Sequence, residues 1–313
     1  MKIVEPYGSS LKEQLLASAR DRLCSFILAD GAMRGVILNG TRMVNEMRSN
    51  HALGILETLA LGRVYVGAAL MASILKGSDR LKLQIECSGP IKGLTVEANA
   101  YGEVRGYLHN VPIPIDSPLE NFSLAPFLGA GFLTVTRYLE NAPRPFAGKV
   151  ILKYGDIAKD LAHYYLTSEQ IPTAVNLGIQ FDKQGNVIGA GGFLLQALPA
   201  AKDTLVTEIE TLVPAMPSLG KYFADFGEPA GLVAAYFRKF NPKILKEKRI
   251  EFMCHCNTHR IRNLLALLPM EELADLNRNG PFPVEIRCHF CNTPYHFDRA
   301  EIGSIYGMRR SDN

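Results

Sequence analysis

Apolar residues recur along this chain with two different periods, and the switches between them outline an architecture. Cys24 to Leu28 and Val36 to Leu38 are short apolar runs on either side of Asp30-Gly31, the pattern of two strands and a turn. Leu11 to Arg20 before them and Met43 to His51 after them fit short helices. Leu53 to Leu75 has helical length and few turn signals. Glu57, Arg63 and several glycines interrupt its apolar character, which suits a buried helix better than a bilayer span.

A β-rich stretch follows. Leu81 to Cys87, Ile91 to Asn99 and Glu103 to His109 are separated by Ser88-Gly89-Pro90 and Tyr101-Gly102, with further strands expected over Phe132 to Tyr138 and Lys149 to Tyr154. Asp156 to Leu166 places Ile157, Leu161 and Tyr165 on one helical face. Val175 to Phe181 and Val187 to Gln196 flank a polar loop, Asp182 to Asn186, as in a hairpin. Helices and strands mix without a βαβ rhythm, so the expected class is α+β, with a mixed-sheet N-terminal domain.

Past Leu198-Pro199 the pattern becomes short amphipathic helices. Leu205, Ile209 and Leu212 form one stripe; Leu232, Val233, Tyr236, Phe237 and Phe240 form a second. Asn241-Pro242 reads as the start of another helix with asparagine as its cap. The expected division is residues 1–200, a helical connector over 201–250, and a small metal domain over 251–313.

Composition narrows the function classes only slightly. A 47% hydrophobic and 21% charged chain of 313 residues has a real core. A formal charge of +3 is too slight to indicate nucleic acid as the partner. Six basic residues between Arg238 and Arg249, opposed by Glu247 alone, make a local patch whose ordinary reading is a solvated helix face. Met1 to Ser10 lacks the basic-then-apolar pattern of a signal peptide, so a cytoplasmic location and no membrane association are expected. In that compartment six cysteines argue for metal or redox chemistry before structural disulfides.

Four of them carry the chemistry. Cys254 and Cys256 form Cys-His-Cys, and Cys288 and Cys291 form Cys-His-Phe-Cys, with residues 257–287 between the pairs. Zinc takes four such ligands in a tetrahedron, and the intervening segment can fold as helices over Thr258 to Leu268 and Pro269 to Arg278 and a strand over Val284 to Arg287. Four thiolates close the coordination shell, which counts against a catalytic zinc. His255, His259, His289 and His296 crowd the same segment as possible substitutes, and His259 or Arg260 could lower a thiol pKa. Cys24 and Cys87 sit in strand patterns and read as inert buried thiols. Gly189-Ala190-Gly191-Gly192 lies inside a strand pattern with no Lys-Ser/Thr downstream, so it reads as backbone packing rather than a phosphate loop. From the residues alone a structural zinc module, a zinc-containing nucleic-acid-binding protein, a zinc enzyme and a redox switch all stay open.

Further stretches narrow the choice. GPIKGLTVEANAYGEVRGYL (89–108), LAHYYLTSEQIPTAV (161–175) and AGGFLLQALP (190–199) accompany the cysteine pairs, as do Phe290 and Tyr295. From about Cys24 to Ile302 the chain resembles the redox-regulated holdase chaperones of the thirty-three-kilodalton heat-shock family. Asn257, where serine is frequent, and Lys159, where an acidic residue is usual, depart from that pattern. The resemblance implies one zinc ion on Cys254, Cys256, Cys288 and Cys291 in the reduced, inactive protein. It implies oxidation to Cys254–Cys256 and Cys288–Cys291 disulfides with loss of zinc, then ATP-independent binding of unfolded or oxidatively damaged proteins by a homodimer, with no enzymatic turnover. Leu232, Tyr236, Phe237 and Phe240, once uncovered, are the expected client-binding side chains.

Overall fold

The computed structural model describes residues 21–115, 121–225 and 227–311. The helix expected over Leu11 to Arg20 lies outside them. Contacts divide the chain into two units, one running to Met253 and one from Cys254 onward.

The larger unit begins with β1 (Arg22–Leu28) and β2 (Met33–Asn39), joined by a turn with Asp30 in the left-handed region, then α1 (Thr41–His51) and α2 (Ile55–Met71). β3 (Arg80–Cys87), β4 (Gly93–Asn99), β5 (Glu103–Leu108), the short α3 (Ala125–Leu128), β6 (Gly131–Tyr138) and β7 (Phe146–Ile151) follow. Next come α4 (Ile157–Tyr164), β8 (Thr173–Phe181), β9 (Val187–Ala197), α5 (Asp203–Ala215), α6 (Leu219–Asp225), α7 (Pro229–Tyr236), β10 (Lys243–Arg249) and β11 (Glu251–Phe252). They build a five-stranded sheet, β10-β1-β2-β9-β8, and a six-stranded one, β11-β5-β4-β3-β6-β7. The class is α+β.

The stretch Ile55–Ile74, apolar and long enough for a bilayer, has 89% of its most apolar window buried inside the protein. The reason is its place: α2 lies between the sheets, touching β2, β8 and β9 of one and β3, β4 and β5 of the other. Asp21 reaches from the start of β1 to the N-terminus of α1, where its carboxylate accepts the Arg42 and Met43 amides at 3.1 and 2.6 Å. Those amides have no partner inside the helix, so Asp21 serves as a cap supplied from elsewhere in the chain.

The 161–175 stretch acquires a structural account. Asp156 caps α4 by accepting the Lys159 amide, and the helix then widens into a π turn over Tyr165–Glu169. That extra residue per turn presents Glu169 to the Tyr164 hydroxyl at 2.7 Å and to the Arg137 guanidinium at 3.0 Å.

One expectation is overturned. Asn241-Pro242 does not open a helix: Asn241 takes a left-handed conformation, and Lys243–Arg249 pairs antiparallel with β1 as an edge strand. Ser25 and Phe26 pair with Lys246 and Ile244, so Leu245 is bulged out of the ladder. Exposed lysines and a bulge are the features that keep a sheet edge from pairing with other chains. From Lys243 onward the positive patch is therefore a strand edge rather than a helix face, and three of its six cations are held in ion pairs. Lys239 pairs with Glu208, Lys243 with Asp30 and Arg249 with Glu251, while Glu247 is engaged by Arg22.

The glycine run lies in the middle of β9, where α6 crosses the hairpin backbone to backbone. A Cβ on Gly189 would sit 2.0 Å from the Gly220 carbonyl oxygen, and one on Gly220 would sit 2.7 Å from the Gln180 amide nitrogen. The glycines are packing residues.

The smaller unit holds α8 (Thr258–Leu265), α9 (Met270–Asn279), the hairpin β12 (Val284–Arg287) and β13 (Pro294–Phe297), and α10 (Arg299–Ser311). Ile261, Leu265, Leu273, Val284, Tyr295, Phe297, Ile302 and Ile305 are, with Cys254, Cys256 and Cys291, the buried apolar side chains among its described residues, few for a stable independent core.

Two outcomes test this packing. Gly189→Ala forces backbone apart and should cost about 3 kcal/mol, read as a lower urea midpoint. Burial lifts Asp21 from its ordinary 3.8 to about 7, so the folded chain binds that proton more tightly than the unfolded one. Its contribution to stability is present below pH 4 and is lost as pH rises to 7, a change on the order of 4 kcal/mol. Urea midpoints at pH 4, 5.5 and 7 should show this decline, and Asp21→Asn should flatten it.

Candidate metal centre

Two local structures carry the four cysteines. Cys254 and Cys256 lie in the extended segment before α8, whose N-cap is Asn257: its side chain accepts the Arg260 amide at 2.9 Å. Asparagine performs this cap as serine would, so the substitution noted at 257 leaves the local structure intact. Cys288 and Cys291 occupy the tip of the β12–β13 hairpin. The Cys291 and Asn292 amides both point at the Cys288 carbonyl, at 3.4 and 2.7 Å, and the Cys288 amide donates to the Thr293 carbonyl at 3.0 Å. Closing so tight a loop requires the left-handed conformation found at Asn292 (φ 54°), which asparagine tolerates better than most residues.

The four sulfur atoms all lie within 4.8 Å of one another. Cys254 and Cys288 approach to 3.8 Å and Cys256 and Cys291 to 3.2 Å. A zinc ion at about 2.3 Å from each of four sulfurs implies tetrahedral edges of about 3.8 Å, so the donor set fits that ion. Cys254, Cys256 and Cys291 are buried and Cys288 is half-buried. Two hydroxyls touch the cluster. Tyr295 donates to Cys256 Sγ at 3.0 Å, and Thr293 Oγ1 lies 3.1 Å from Cys291 Sγ.

The electrostatics point the same way. Hydrogen bonds from Cys288 and Cys291 hold the Cys254 thiol well below its usual range. Hydrogen bonding to Cys254 in turn pushes Cys288 up to about 11, and hydrogen bonding to Cys254 and Cys288 raises Cys291. Four thiolates at these distances repel one another unless a cation sits among them. By contrast, burial pushes Cys24 up to about 11 and also raises Cys87, leaving both as thiols.

None of the nearby histidines joins the donor cluster among the described residues. His259 contacts Asn263 and His296 faces Glu285, while Arg260 spends its guanidinium on the His255 carbonyl. Residue spacing gives no sign of the Thr293 and Tyr295 contacts with the sulfurs. Tyr295 sits four residues beyond Cys291, across the hairpin tip, a register visible only once β12 and β13 are paired.

The side chains expected to bind clients are covered. Leu232, Phe237 and Phe240 are buried and Tyr236 partly so, in a cluster with Phe26, Ile37, Phe193 and Phe223. Ile209 joins the same cluster, with Leu205 and Leu212 packed against it. The cover is thus the five-stranded sheet of the larger unit.

Known proteins give the context. A family profile described as Hsp33 protein matches residues 21–298. The chain belongs to the Hsp33 family. The 33 kDa chaperonin of Desulforamulus reducens is 35% identical over 288 residues, 91% of this chain and 97% of that protein. The 33 kDa chaperonin of Geobacter sulfurreducens is 35% identical over 283 residues, 90% and 93% of the two chains. The crystal structure of the Thermotoga maritima 33 kDa chaperonin matches with a TM-score of 0.85 at 32% identity, covering 94% of this chain and all of that one. Within an Hsp33 chain, four clustered cysteines are compatible with redox-regulated zinc binding.

The turn at Asn292 gives a prediction. Asn292→Gly should keep metal affinity, whereas Asn292→Val, β-branched at positive φ, should weaken zinc binding about tenfold in a chelator competition.

Proposed function

We infer that this Hsp33 protein is an ATP-independent holdase whose activity is set by the oxidation state of Cys254, Cys256, Cys288 and Cys291. The observation that carries the reading is the cluster of four sulfurs on a unit with a small apolar core. In the reduced state these cysteines would hold one zinc ion. Such an ion supplies folding free energy, on the order of 10–16 kcal/mol for small zinc modules, and leaves no open position for a substrate. The protein's part is to bind clients, not to turn them over.

Oxidation converts ligands into non-ligands. A thiolate attacks a peroxide or hypochlorous acid and is oxidised to a sulfenic acid, and a neighbouring thiolate then displaces hydroxide to close the disulfide. Pairing within each motif, Cys254–Cys256 and Cys288–Cys291, follows from the resemblance to the family. The small unit then loses the ligand set that offsets its sparse core, and it should unfold.

Client binding requires a second event. Leu232, Tyr236, Phe237 and Phe240 lie against the five-stranded sheet, so unfolding of the small unit does not by itself expose them. α5, α6 and α7 must also lift from β8, β9 and β2, and heat is the natural agent for that step. The freed stripe is an extended apolar surface of the kind that captures unfolded chains and promotes self-association. We accordingly expect a homodimer in the oxidised state and a cytoplasmic location. The formal charge of +3, with Lys243 and Arg249 of β10 engaged by Asp30 and Glu251, gives no support to nucleic-acid binding.

Light scattering from an aggregating, chemically unfolded client separates the outcomes. The peroxide-treated protein at elevated temperature should suppress scattering, and the reduced, zinc-loaded protein should not. Equal activity of the two forms would refute a redox switch. Replacing Phe237 and Phe240 with serine should reduce suppression at least several-fold after oxidation, while zinc stoichiometry stays at one.

A further inference from the structure

The four sulfurs are not equivalent, because side-chain hydroxyl groups contact Cys256 and Cys291. Tyr295 Oη donates to Cys256 Sγ at 3.0 Å, and Thr293 Oγ1 lies 3.1 Å from Cys291 Sγ, accepting from the thiol and placed to donate to the thiolate. Both hydroxyls belong to side chains with little exposed surface in the small unit. Among ligand thiolates the sulfur is already ionised, and a hydrogen bond cannot increase the thiolate fraction. It can only draw electron density from the sulfur, and nucleophilicity falls with basicity.

We propose that Tyr295 and Thr293 are selectivity residues that slow the attack of oxidants on Cys256 and Cys291 and so set the oxidant dose at which the switch trips. The proposal rests on the redox reading above. The step it concerns is nucleophilic. A sulfur lone pair displaces hydroxide from hydrogen peroxide, giving the sulfenic acid, and a second thiolate then displaces hydroxide from that sulfur to form the disulfide. Two electrons pass from the two sulfurs to the peroxide, and the two hydroxides take up protons as water. Tyr295 or Thr293 opposes the first displacement only where its hydroxyl engages the attacking sulfur.

A single charge-assisted hydrogen bond, combined with the shallow dependence of thiolate reactivity on basicity, gives an effect of about three- to tenfold. The experiment uses the full chain in the reduced state, with zinc stoichiometry measured before oxidation. Limiting peroxide is added in the presence of a 1,3-dione that traps sulfenic acids, and labelled cysteines are located by mass spectrometry. Tyr295→Phe should raise labelling of Cys256 by that factor, and Thr293→Val should do the same at Cys291. Thr293→Ser, which keeps the hydroxyl, should restore the parent rate. Unchanged labelling at both sulfurs in zinc-loaded variants would overturn the proposal and leave the redox reading standing. Absence of zinc from the parent protein, or zinc retained after excess peroxide, would instead defeat the redox reading. Should Tyr295→Phe fail to retain metal, the Thr293 pair decides alone: equal Cys291 labelling in the valine and serine variants overturns the proposal.

Discussion

Four sulfurs held within a few ångströms of one another cannot all carry charge unless a cation is shared among them, and the small unit is organised around that constraint. The hairpin tip at Cys288 to Cys291 and the extended segment at Cys254 to Cys256 are irregular backbone, each stabilised by a few hydrogen bonds. Their side chains converge on a point where protein alone would leave repulsion. On the function proposed above, a folded state of this kind depends on the chemical state of its cysteines.

The larger unit follows a different logic. Its two sheets enclose α2, whose apolar surface is covered on nearly all sides, while α5 to α7 cover the opposite face of the five-stranded sheet. Close backbone approach at Gly189 and Gly220 and the shared aromatic cluster around Phe193 and Phe237 make that cover tight. On the function proposed above, the side chains that would meet clients are folded inward as ordinary core, contributing to stability in the closed state.

Much of this was legible from the residues. The two cysteine pairs, the helices between them and the strands β1, β2, β8 and β9 follow from short-range spacing, and they are where the chain's pattern placed them. The helix expected after Asn241 was misread because Asn-Pro is a strong local signal. The alternative needed knowledge that β1 has an open edge, which is a property of the sheet rather than of residues 241 to 249. The positions of Tyr295 and Thr293 against the sulfurs were hidden for a similar reason: a hairpin register is fixed by pairing across strands. Asp21 capping a helix some twenty residues away leaves no trace in local sequence at all.

The strand at Lys243–Arg249 has a further consequence for reversibility. Because β9 and β10 are both members of one sheet, the segment between them is a loop tethered at its two ends. Detaching its helices enlarges that loop without freeing either anchor, and the entropy of closing a loop grows only slowly with the slack in it. Re-docking is then a search within a small volume around the same sheet face. A device meant to open under stress and shut afterwards is well served by a cover that remains on a hinge at each side.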